Sequence, residues 1–317
     1  DRRMNNPDLP KVEDGNYMIN FLGMSVTDAP DYYPWIQGFS NTDWFAELHR
    51  KNAPTQNYDF NVSGGSDKVS YYLSLGYQNR DGLKSHLVKE NEKRYTMKAR
   101  IDADVTSWFS VGFQTLFSNF VRDLPVSSGF ITPVNLHPTI PMKDPNGNYL
   151  RGSLNELVDG GRSDEHVRNY NNTLSATLTP LTDLIIKSNF TWKNYNLNNE
   201  SFEQQYPFFY TSSGRPVVFG WQGRQDAITR IEQTSTYQNF DLTANYVKTL
   251  ENHNFSVLLG MQAEEDYLLG VSATRGGMIL PVPSFNFAFG NSIDLSDEVA
   301  EWSTLGYFGR LNYNYQG

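Results

Sequence analysis

The 317-residue chain contains no cysteine. Disulfide bridges, zinc–thiolate sites, iron–sulfur clusters and thiol nucleophiles are therefore excluded together. Positive charge is also scarce, because 26 lysines and arginines stand against 35 acidic residues and leave a formal net charge of −9. A phosphate backbone requires clustered basic side chains, so nucleic acid is not predicted as a partner.

Long apolar runs are absent as well. No segment approaches the roughly 18 apolar residues of a membrane-spanning helix, and residues 1–4 lead into asparagine and proline rather than into a signal peptide. Aromatic residues are instead abundant, at 14% of the chain, and so many large side chains argue against disorder. The chain is thus expected to be either cytosolic or a processed or partial exported protein.

Apolar and polar residues alternate in several segments that are each about ten residues long. In 94–105, the odd positions from Tyr95 to Val105 are apolar, whereas the even positions include Arg94, Lys98 and Arg100. This period of two is typical of a strand with one apolar and one polar face, and helical spacing explains it less well. The same alternation begins at Val69, Phe109, Leu184, Phe240, Phe255 and Leu305. The sequence therefore predicts an all-β chain.

The connections between the predicted strands are sorted by length. Short turns at 64–67, 106–107, 180–183 and 251–253 alternate with long connections near 122–169, 196–230 and 265–303. Outer-membrane barrels have short periplasmic turns and long extracellular loops, so this order favours an antiparallel transmembrane β-barrel. A soluble β-sandwich or β-helix with one solvated face is the alternative. The nine predicted strands lie near 56–63, 68–79, 93–104, 108–121, 170–178, 184–195, 231–247, 254–264 and 304–315.

Two further features agree with a barrel. The charged row of 94–105 suits a wet lumen better than a dry core, so we expect the odd positions to face lipid and the even positions to face the lumen. Aromatic residues also gather near strand ends, as in an interfacial girdle. These residues are Trp108, Phe109, Trp192, Tyr195, Tyr246 and Tyr313.

Several strand and turn segments form recognisable signatures. These segments are Thr42-Asp43-Trp44, Ala53-Pro54-Thr55-Gln56-Asn57-Tyr58, Ser63-Gly64-Gly65-Ser66, Ser74-Leu75-Gly76-Tyr77, Arg94-Tyr95, Asp104-Val105-Thr106-Ser107-Trp108, Val111-Gly112 and Tyr307-Phe308-Gly309-Arg310-Leu311-Asn312-Tyr313. Together they closely resemble SusC-like TonB-dependent outer-membrane transporters. The resemblance covers most of the chain from about residue 41 and is specific in 41–113 and 302–315.

The resemblance implies a larger barrel of about 22 strands, of which about nine lie in this chain. Residues 1–54 are expected to form the outer connection before the first clear strand, and 55–317 part of the barrel with long extracellular loops. The family's plug domain is not found in this chain, which is expected to be a central fragment.

The resemblance also implies a location in the outer membrane of a Gram-negative, Bacteroidetes-like cell. The implied function is energy-coupled import of oligosaccharides or peptides. The implied partners are a SusD-like surface lipoprotein that lids the barrel, TonB-ExbB-ExbD acting through the missing plug segment, and outer-membrane lipid. A dimer of the SusCD pair is an assembly that the resemblance allows.

No catalytic or metal-binding motif is found in the sequence. Asp164-Glu165-His166 combines carboxylates with an imidazole, but a solvated polar loop explains it better than acid–base catalysis. Asp144-Pro145-Asn146-Gly147-Asn148 has its glycine at the wrong position for a calcium loop and is interpreted as a turn. The five histidines lack paired metal spacing. We predict no enzyme, no metal and no cofactor.

Two long connections hold the candidate contact residues. The segment 196–230 mixes aromatic rings with amides and guanidinium groups, which suits stacking on sugars or peptides, or docking on a partner protein. The segment 124–142 is rich in proline and large apolar residues, so it is expected to be ordered and folded over the lumen or against the lid protein. The ligand- or partner-contact candidates are Phe202, Tyr206, Phe208, Trp221, Arg224, Phe130 and Leu136.

The main hypothesis is therefore that the chain is part of an outer-membrane importer. The alternatives are a soluble or surface-attached glycan-binding β-sandwich, and a passive porin if the intact protein lacks a plug.

Overall fold

The computed structural model describes residues 41–84, 86–126, 138, 142–143, 147–149, 152–207, 209–210, 216–217 and 226–316. The helices are α1 (Trp44–Leu48) and α2 (Gly152–Asp159), and a 3₁₀ turn covers Phe285–Phe287. The strands are β1 (Thr55–Gly65), β2 (Val69–Asp81), β3 (Asn91–Thr106), β4 (Phe109–Pro125), β5 (Gly161–Leu181), β6 (Leu184–Glu203), β7 (Phe209–Tyr210), β8 (Pro216–Val217), β9 (Ala227–Leu250), β10 (His253–Gly276) and β11 (Ile293–Tyr315).

Nine long strands form one open antiparallel sheet. Their order is β1-β2-β3-β4-β5-β6-β9-β10-β11, so each long strand pairs with the next one along the chain, and β7 and β8 form a separate small hairpin. The predicted all-β class and the nine strands are confirmed. The sandwich alternative is wrong as an architecture, since a sandwich requires two sheets packed face to face.

The strands are longer than the sequence predicts. Strand β5 begins at Gly161 rather than near 170, β10 continues to Gly276 rather than 264, and β11 begins at Ile293 rather than 304. In β5 the added residues 161–169 are polar on both faces apart from Val167, so the alternation that marks a strand is absent there. The added parts of β10 and β11 keep apolar residues at odd positions, such as Tyr267, Leu269 and Leu295, although the sequence analysis includes them in a long connection. The hydrogen-bond ladder with neighbouring strands nevertheless continues through them.

The predicted sorting of connections by length is confirmed, with corrected bounds. The tight turns at 66–68, 107–108, 182–183 and 251–252 lie at one end of the sheet. The connections at the opposite end are 82–90, 126–160, 204–226 and 277–292, and the last three are shorter than expected because the strands extend into them. We call the end with the longer connections the outer end.

The register places apolar residues on one face of the whole sheet. On β3, Met97 pairs with Leu75 on one side and with Phe117 on the other, and Ile101 pairs with Tyr71 and Phe113. The face is not covered by a second layer in the described part of the chain, because Ile101 is 48% exposed. We call this surface the apolar face and the opposite one the polar face.

Aromatic residues mark the outer boundary of the apolar face. Tyr58, Tyr77 and Tyr95 stand side by side on β1, β2 and β3, with ring centroids 6.2 and 5.1 Å apart. Phe117 and Tyr170 continue the row on β4 and β5 at 4.9 Å. Beyond this aromatic row, the same face of β2, β3 and β5 turns to polar and charged residues. We call these five residues the aromatic row. The residues that the sequence predicts for a girdle are not part of this row, so that assignment stays a prediction: Trp108, Phe109, Trp192, Tyr195, Tyr246 and Tyr313.

The helices of the described segments are short. Helix α1 has 5 residues and α2 has 8, and among the described residues no helix is long and apolar enough to cross a membrane.

A glycine on the polar face makes room for an aromatic ring. Gly260 on β10 pairs with Phe308 on β11, whose ring occupies the space of a side chain at 260. Gly260→Ala should therefore displace the ring and cost about 1 kcal/mol of stability. Gly270→Ala, on the same strand and face, is the control because its nearest neighbours lie 3.7 Å from the added carbon. The midpoint of unfolding in urea measures both, and equal midpoints for the two variants would contradict the packing.

Candidate functional site

A ladder of alternating charges crosses the outer part of the polar face. The register aligns Arg80 on β2 with Glu92 on β3, Arg122 on β4 and Glu165 on β5. The Glu92 carboxylate lies 3.7 Å from Arg80 and 3.4 Å from Arg122, which is 3.7 Å from Glu165. These side chains are partly exposed, so the ladder fixes their positions more than it adds stability.

Aromatic rings hold further basic side chains on the same part of the wall. The guanidinium groups of Arg94 and Arg122 lie 5.3 and 5.1 Å from the centre of the Phe120 ring. The Lys98 ammonium group lies 5.9 Å from the Tyr72 ring. Such contacts orient a cation while leaving it accessible to water. The polar face of β2–β5 therefore presents fixed basic groups.

A different set of residues covers the polar face of β6–β11. Lys193, Tyr237, Asp266 and Trp302 pair in sequence across β6, β9, β10 and β11. The Lys193 ammonium group lies 4.6 Å from the Tyr237 ring, and the Tyr237 and Trp302 centroids are 6.3 Å apart. Two adjacent rings beside a cation and a carboxylate can contact both the apolar and the polar parts of a flexible polar ligand.

Three carboxylates near this row are held by neutral donors. Asp266 accepts a hydrogen bond from Ser235 at 3.0 Å, and Glu264 accepts one from Gln262 at 2.6 Å. Asp241 accepts from an asparagine amide at 2.7 Å. Within the described residues, no basic side chain forms an ion pair with these three carboxylates. This part of the wall is consequently acidic, whereas the β2–β5 part carries arginine and lysine.

The outer end carries a small core of its own. Trp44 and Leu48 of α1 are buried against Leu154 of α2, far away in the sequence. Asp43 caps α1 by accepting hydrogen bonds from two backbone amides at 3.1 Å, and the Thr42 amide donates to the carbonyl of Pro138 at 2.8 Å. These contacts fasten the segment before β1 to the connection between β4 and β5. Partly buried Leu87, Met142 and Tyr149 surround this core.

A second outer cluster lies at the ends of β6 and β9. Phe202 and Ile228 pack with Ala288, and partly buried Met278 and Phe285 surround them. The loop after β10 supplies three of these residues and is held by its own backbone bonds, from the Ile279 amide to Phe287 and from the Phe289 amide to Gly277, both at 2.9 Å. The loop is thus an ordered support.

This loop exposes apolar side chains that sequence reasoning missed. Ile279 is 63% exposed and Phe289 is 59% exposed, and Leu280 and Val282 are exposed between them. An ordered apolar patch at a surface is typical of a protein-interaction site. The sequence signal for this patch is the apolar, proline-containing run 278–289, which lies inside the connection predicted near 265–303. We call Ile279, Leu280, Val282 and Phe289 the outer apolar patch.

The structure describes two of the seven predicted contact residues. Phe202 lies at the end of β6 rather than in a loop, and Phe202 and Tyr206 are each only 8% exposed. The Phe202 ring belongs to the second outer cluster, and both rings are buried rather than presented at a surface. The other five, Phe208, Trp221, Arg224, Phe130 and Leu136, lie outside the described residues, as does most of 124–142. The predicted contact roles stay predictions.

The carboxylate–imidazole triplet lies on a strand, not in the solvated loop expected from the sequence. Residues 164–166 belong to β5, so Glu165 joins the ladder on the polar face while Asp164 and His166 point to the other face. They therefore do not form one constellation. Residues 144–146 of the rejected calcium loop lie outside the described residues, and in the described segments no group of three or more acidic or histidine side chains could hold a metal ion.

Asp164 faces Asp123 directly, beyond the aromatic row and outside the apolar band. Burial, and then the neighbouring Asp123 carboxylate, raise the pKa of Asp164. Burial also opposes ionisation of Asp123, but hydrogen bonds from Lys89 and Arg162 outweigh it and lower the pKa of Asp123. One carboxyl of the pair therefore stays ionised between two cations, and the other resists ionisation.

Comparison with known proteins gives distant but extensive matches. No protein-family profile matches the chain. The TonB-dependent receptor P26 of Formosa agariphila is 22% identical over 98% of this chain and 32% of the receptor. The TonB-dependent receptor P3 of the same organism is 23% identical over 89% of this chain and 28% of the receptor. The chain thus spans about a third of the length of these curated relatives.

Solved structures share the fold. The RagAB peptide importer in its open-open state aligns with 98% of this chain and 35% of its own, at a TM-score of 0.72 and 20% identity. Its closed-closed state aligns at a TM-score of 0.71 and 21% identity, covering 98% and 36%. A RagAB peptide transporter structure aligns at a TM-score of 0.69 and 22% identity, and the alignment covers 88% of this chain and 32% of the transporter chain. The predicted resemblance and the partial barrel fold are confirmed, and the relatives are receptors and transporters rather than enzymes.

The Asp123–Asp164 pair predicts opposite pH effects for two matched variants. Because the pKa of Asp164 is raised, the ionised form of Asp164 destabilises the fold. This destabilisation is complete above the raised pKa and disappears below the ordinary value of 3.8. Asp164→Asn should therefore increase amide-exchange protection of 119–125 and 162–168 at pH 7 and change nothing in strong acid. Asp123→Asn should reduce protection at pH 7, because the stability from its lowered pKa is present there. Lower protection in both variants at pH 7 would contradict the assignment.

Proposed function

We propose that this chain forms part of the wall of a TonB-dependent outer-membrane importer for oligopeptides or oligosaccharides. The observation that carries the proposal is one nine-stranded sheet with a continuous apolar face, an aromatic boundary and a charged opposite face. The curated relatives, named TonB-dependent receptors, and the fold shared with the RagAB importer support the same function.

The dimensions of the apolar face support a membrane position. On β3 the face runs from Tyr95 to Val105, which is eleven residues or roughly 35 Å along a strand. A strand tilted by about 45° then spans roughly 25 Å, the height of the apolar band of outer-membrane barrels. The aromatic row lies where an interfacial girdle is expected, and the longer connections lie on the outer side of it.

The polar face would then line the lumen. The ladder of alternating charges on β2–β5 and the acidic, aromatic row on β6–β11 offer both charges and stacking surfaces to a passing solute. A substrate with several hydrogen-bonding groups and mixed polarity suits such a wall better than an apolar one does. Among the two substrate classes, peptides have the support of the RagAB importers.

The energy-coupling parts belong to the proposal as well. Residues 1–54 act as an outer connection, 55–317 form barrel wall, and a plug encoded elsewhere in the full-length protein couples to TonB-ExbB-ExbD. Proton-motive force would then move the plug after the substrate has bound outside. This division rests on the resemblance and on the relatives' length, of which the chain covers about a third.

A surface lipoprotein is the proposed lid. The outer apolar patch supports this partner, because it is ordered, apolar and located at the outer end next to the second cluster. The RagAB structures are complexes that exist in open and closed states, which fits a lid that swings on such a surface. A pair of lidded barrels is compatible with the same arrangement.

A depth series tests the membrane orientation. Ile101→Arg, near the middle of the apolar face, should cost about 2–4 kcal/mol in unfolding from lipid vesicles, and Met97→Arg, nearer the aromatic row, should cost less. Thr96→Arg is the matched control on the polar face and should cost little. Equal costs for Met97→Arg and Thr96→Arg would overturn the assignment of faces.

Uptake by intact cells tests the transport function. Deleting the gene should abolish accumulation of labelled oligopeptides, and a protonophore should abolish it in unmodified cells. Accumulation of oligosaccharides instead of peptides would change the substrate class but keep the importer. Uptake that persists under the protonophore would favour a passive porin.

Purification of the full-length protein from the same cells tests whether the outer apolar patch binds the lipoprotein. Ile279→Asp combined with Phe289→Asp should remove the lipoprotein during purification of the full-length protein. Phe45→Asp is the control, since Phe45 is 67% exposed on the other outer core. Loss of the lipoprotein in both variants would contradict a specific role for the outer apolar patch.

A further inference from the structure

An open groove lies on the apolar-face side of β2 and β3, directly beyond the aromatic row. Tyr77 and Asn79 of β2 and Lys93 of β3 form its floor. Arg50, Asp81 and residues 86–91, which include Lys89 and Glu90, line the rest of it. The floor residues share the odd register of Tyr95, so the groove faces away from the lumen.

The position of the groove matches a headgroup layer if the apolar face contacts lipid. Lys93 is two residues beyond Tyr95, or about 7 Å along the strand. The polar layer on each side of a bilayer core is roughly 5–8 Å thick. Lys93 and the groove floor therefore lie at the depth of headgroups, directly above the acyl chains.

Basic groups in the groove are incompletely neutralised. Arg50 is paired with Asp81 at 3.1 Å, and Glu90 is paired with Lys84 at 3.8 Å. Lys93 forms no ion pair with a described residue, although its charge acts on Asp81. This distribution is unusual for a chain with a net charge of −9.

The Lys89 side of the groove also has positive charge in excess. Lys89 shares the single Asp123 carboxylate with Arg162, and Lys89 remains 74% exposed. Asp164 pairs with Asp123 across β4 and β5 and is not among the groove-lining residues. Asn79 and Asn91 add amide groups that can donate hydrogen bonds beside the two lysines.

We propose that this groove binds the phosphate group of an outer-leaflet lipid headgroup, with Lys93 and Lys89 as the principal contacts and Tyr77 beneath the headgroup. The inference rests on the proposed membrane location. Two ammonium groups and neighbouring amides suit a phosphate monoester, whose oxygens accept several charge-assisted hydrogen bonds. The acyl chains of such a lipid would continue down the exposed apolar face below Tyr77.

Binding to the full-length protein in nonionic detergent tests the groove. The probes are diphosphorylated lipid A, the same lipid after removal of its phosphates, and inorganic phosphate, each titrated by native mass spectrometry. Diphosphorylated lipid should bind and the dephosphorylated lipid should bind much more weakly. Lys93→Gln should weaken binding about fivefold, and Lys89→Gln with Lys93→Gln about twenty-fivefold, since each basic residue near a lipid surface contributes about one fivefold factor.

Lys98→Gln is the matched control. Lys98 lies on the same strand as Lys93 but on the polar face, over the Tyr72 ring, so its loss should leave lipid binding unchanged. Equal affinity of Lys93→Gln and the unmodified protein, or equal binding of dephosphorylated lipid, would overturn the site. Binding of inorganic phosphate as tightly as the lipid would assign the groove to a free ion and overturn the lipid assignment.

Separate measurements distinguish a wrong lipid-binding site from a wrong membrane location. Fractionation of cells and heat-dependent migration in gels report whether the full-length protein is an outer-membrane barrel, whatever it binds. A protein that passes both tests but binds lipid independently of Lys93 contradicts the groove alone. A protein that fails both tests contradicts the proposed function as well.

Discussion

The antiparallel hydrogen-bond ladder is the constraint on which the rest of the molecule depends. Because successive side chains point to opposite faces, a shift of one residue between any two strands would exchange the apolar and polar faces. The pairing of Met97 with both Leu75 and Phe117 shows that the register is kept across neighbouring strands. The aromatic row, the charge ladder and the acidic row all follow from this common register.

The same ladder explains why the two faces can differ so strongly without a conventional core. The largest fully buried side chains of the described chain lie in helices and at the outer end of β9, not in the middle of the sheet. Stability of the wall therefore comes from backbone pairing and from whatever solvent covers the apolar face. Charged residues on the opposite face can then be placed for contact with a solute, since they are not needed for packing.

Sequence patterns predict β1–β4 and β9 to within about four residues at each end, but miss the outer parts of β5, β6, β10 and β11. Strand β3 was placed within two residues at each end, because apolar alternation covers most of it. The outer part of β6 has polar residues on both faces, so only pairing with β5 and β9 identifies it as a strand. For the same reason the sequence predicts a loop at Glu165, although Glu165 belongs to the ladder of alternating charges on the polar face. Contacts such as Trp44 with Leu154 link residues over a hundred positions apart, and no local pattern records them.

The outer parts of the strands hold the outer loops at a fixed distance from the apolar face. In the proposed membrane orientation, the 24-residue β10 has about 13 residues more than the eleven-residue apolar face of β3, which places its outer end roughly 30 Å above the membrane surface after allowing for tilt. The Debye length at physiological ionic strength is about 8 Å, so the surface potential of anionic lipids has decayed almost completely at that height. In that orientation, encounters at the loop after β10 would be electrically insulated from the lipid surface, and changes in membrane charge should leave them unaffected.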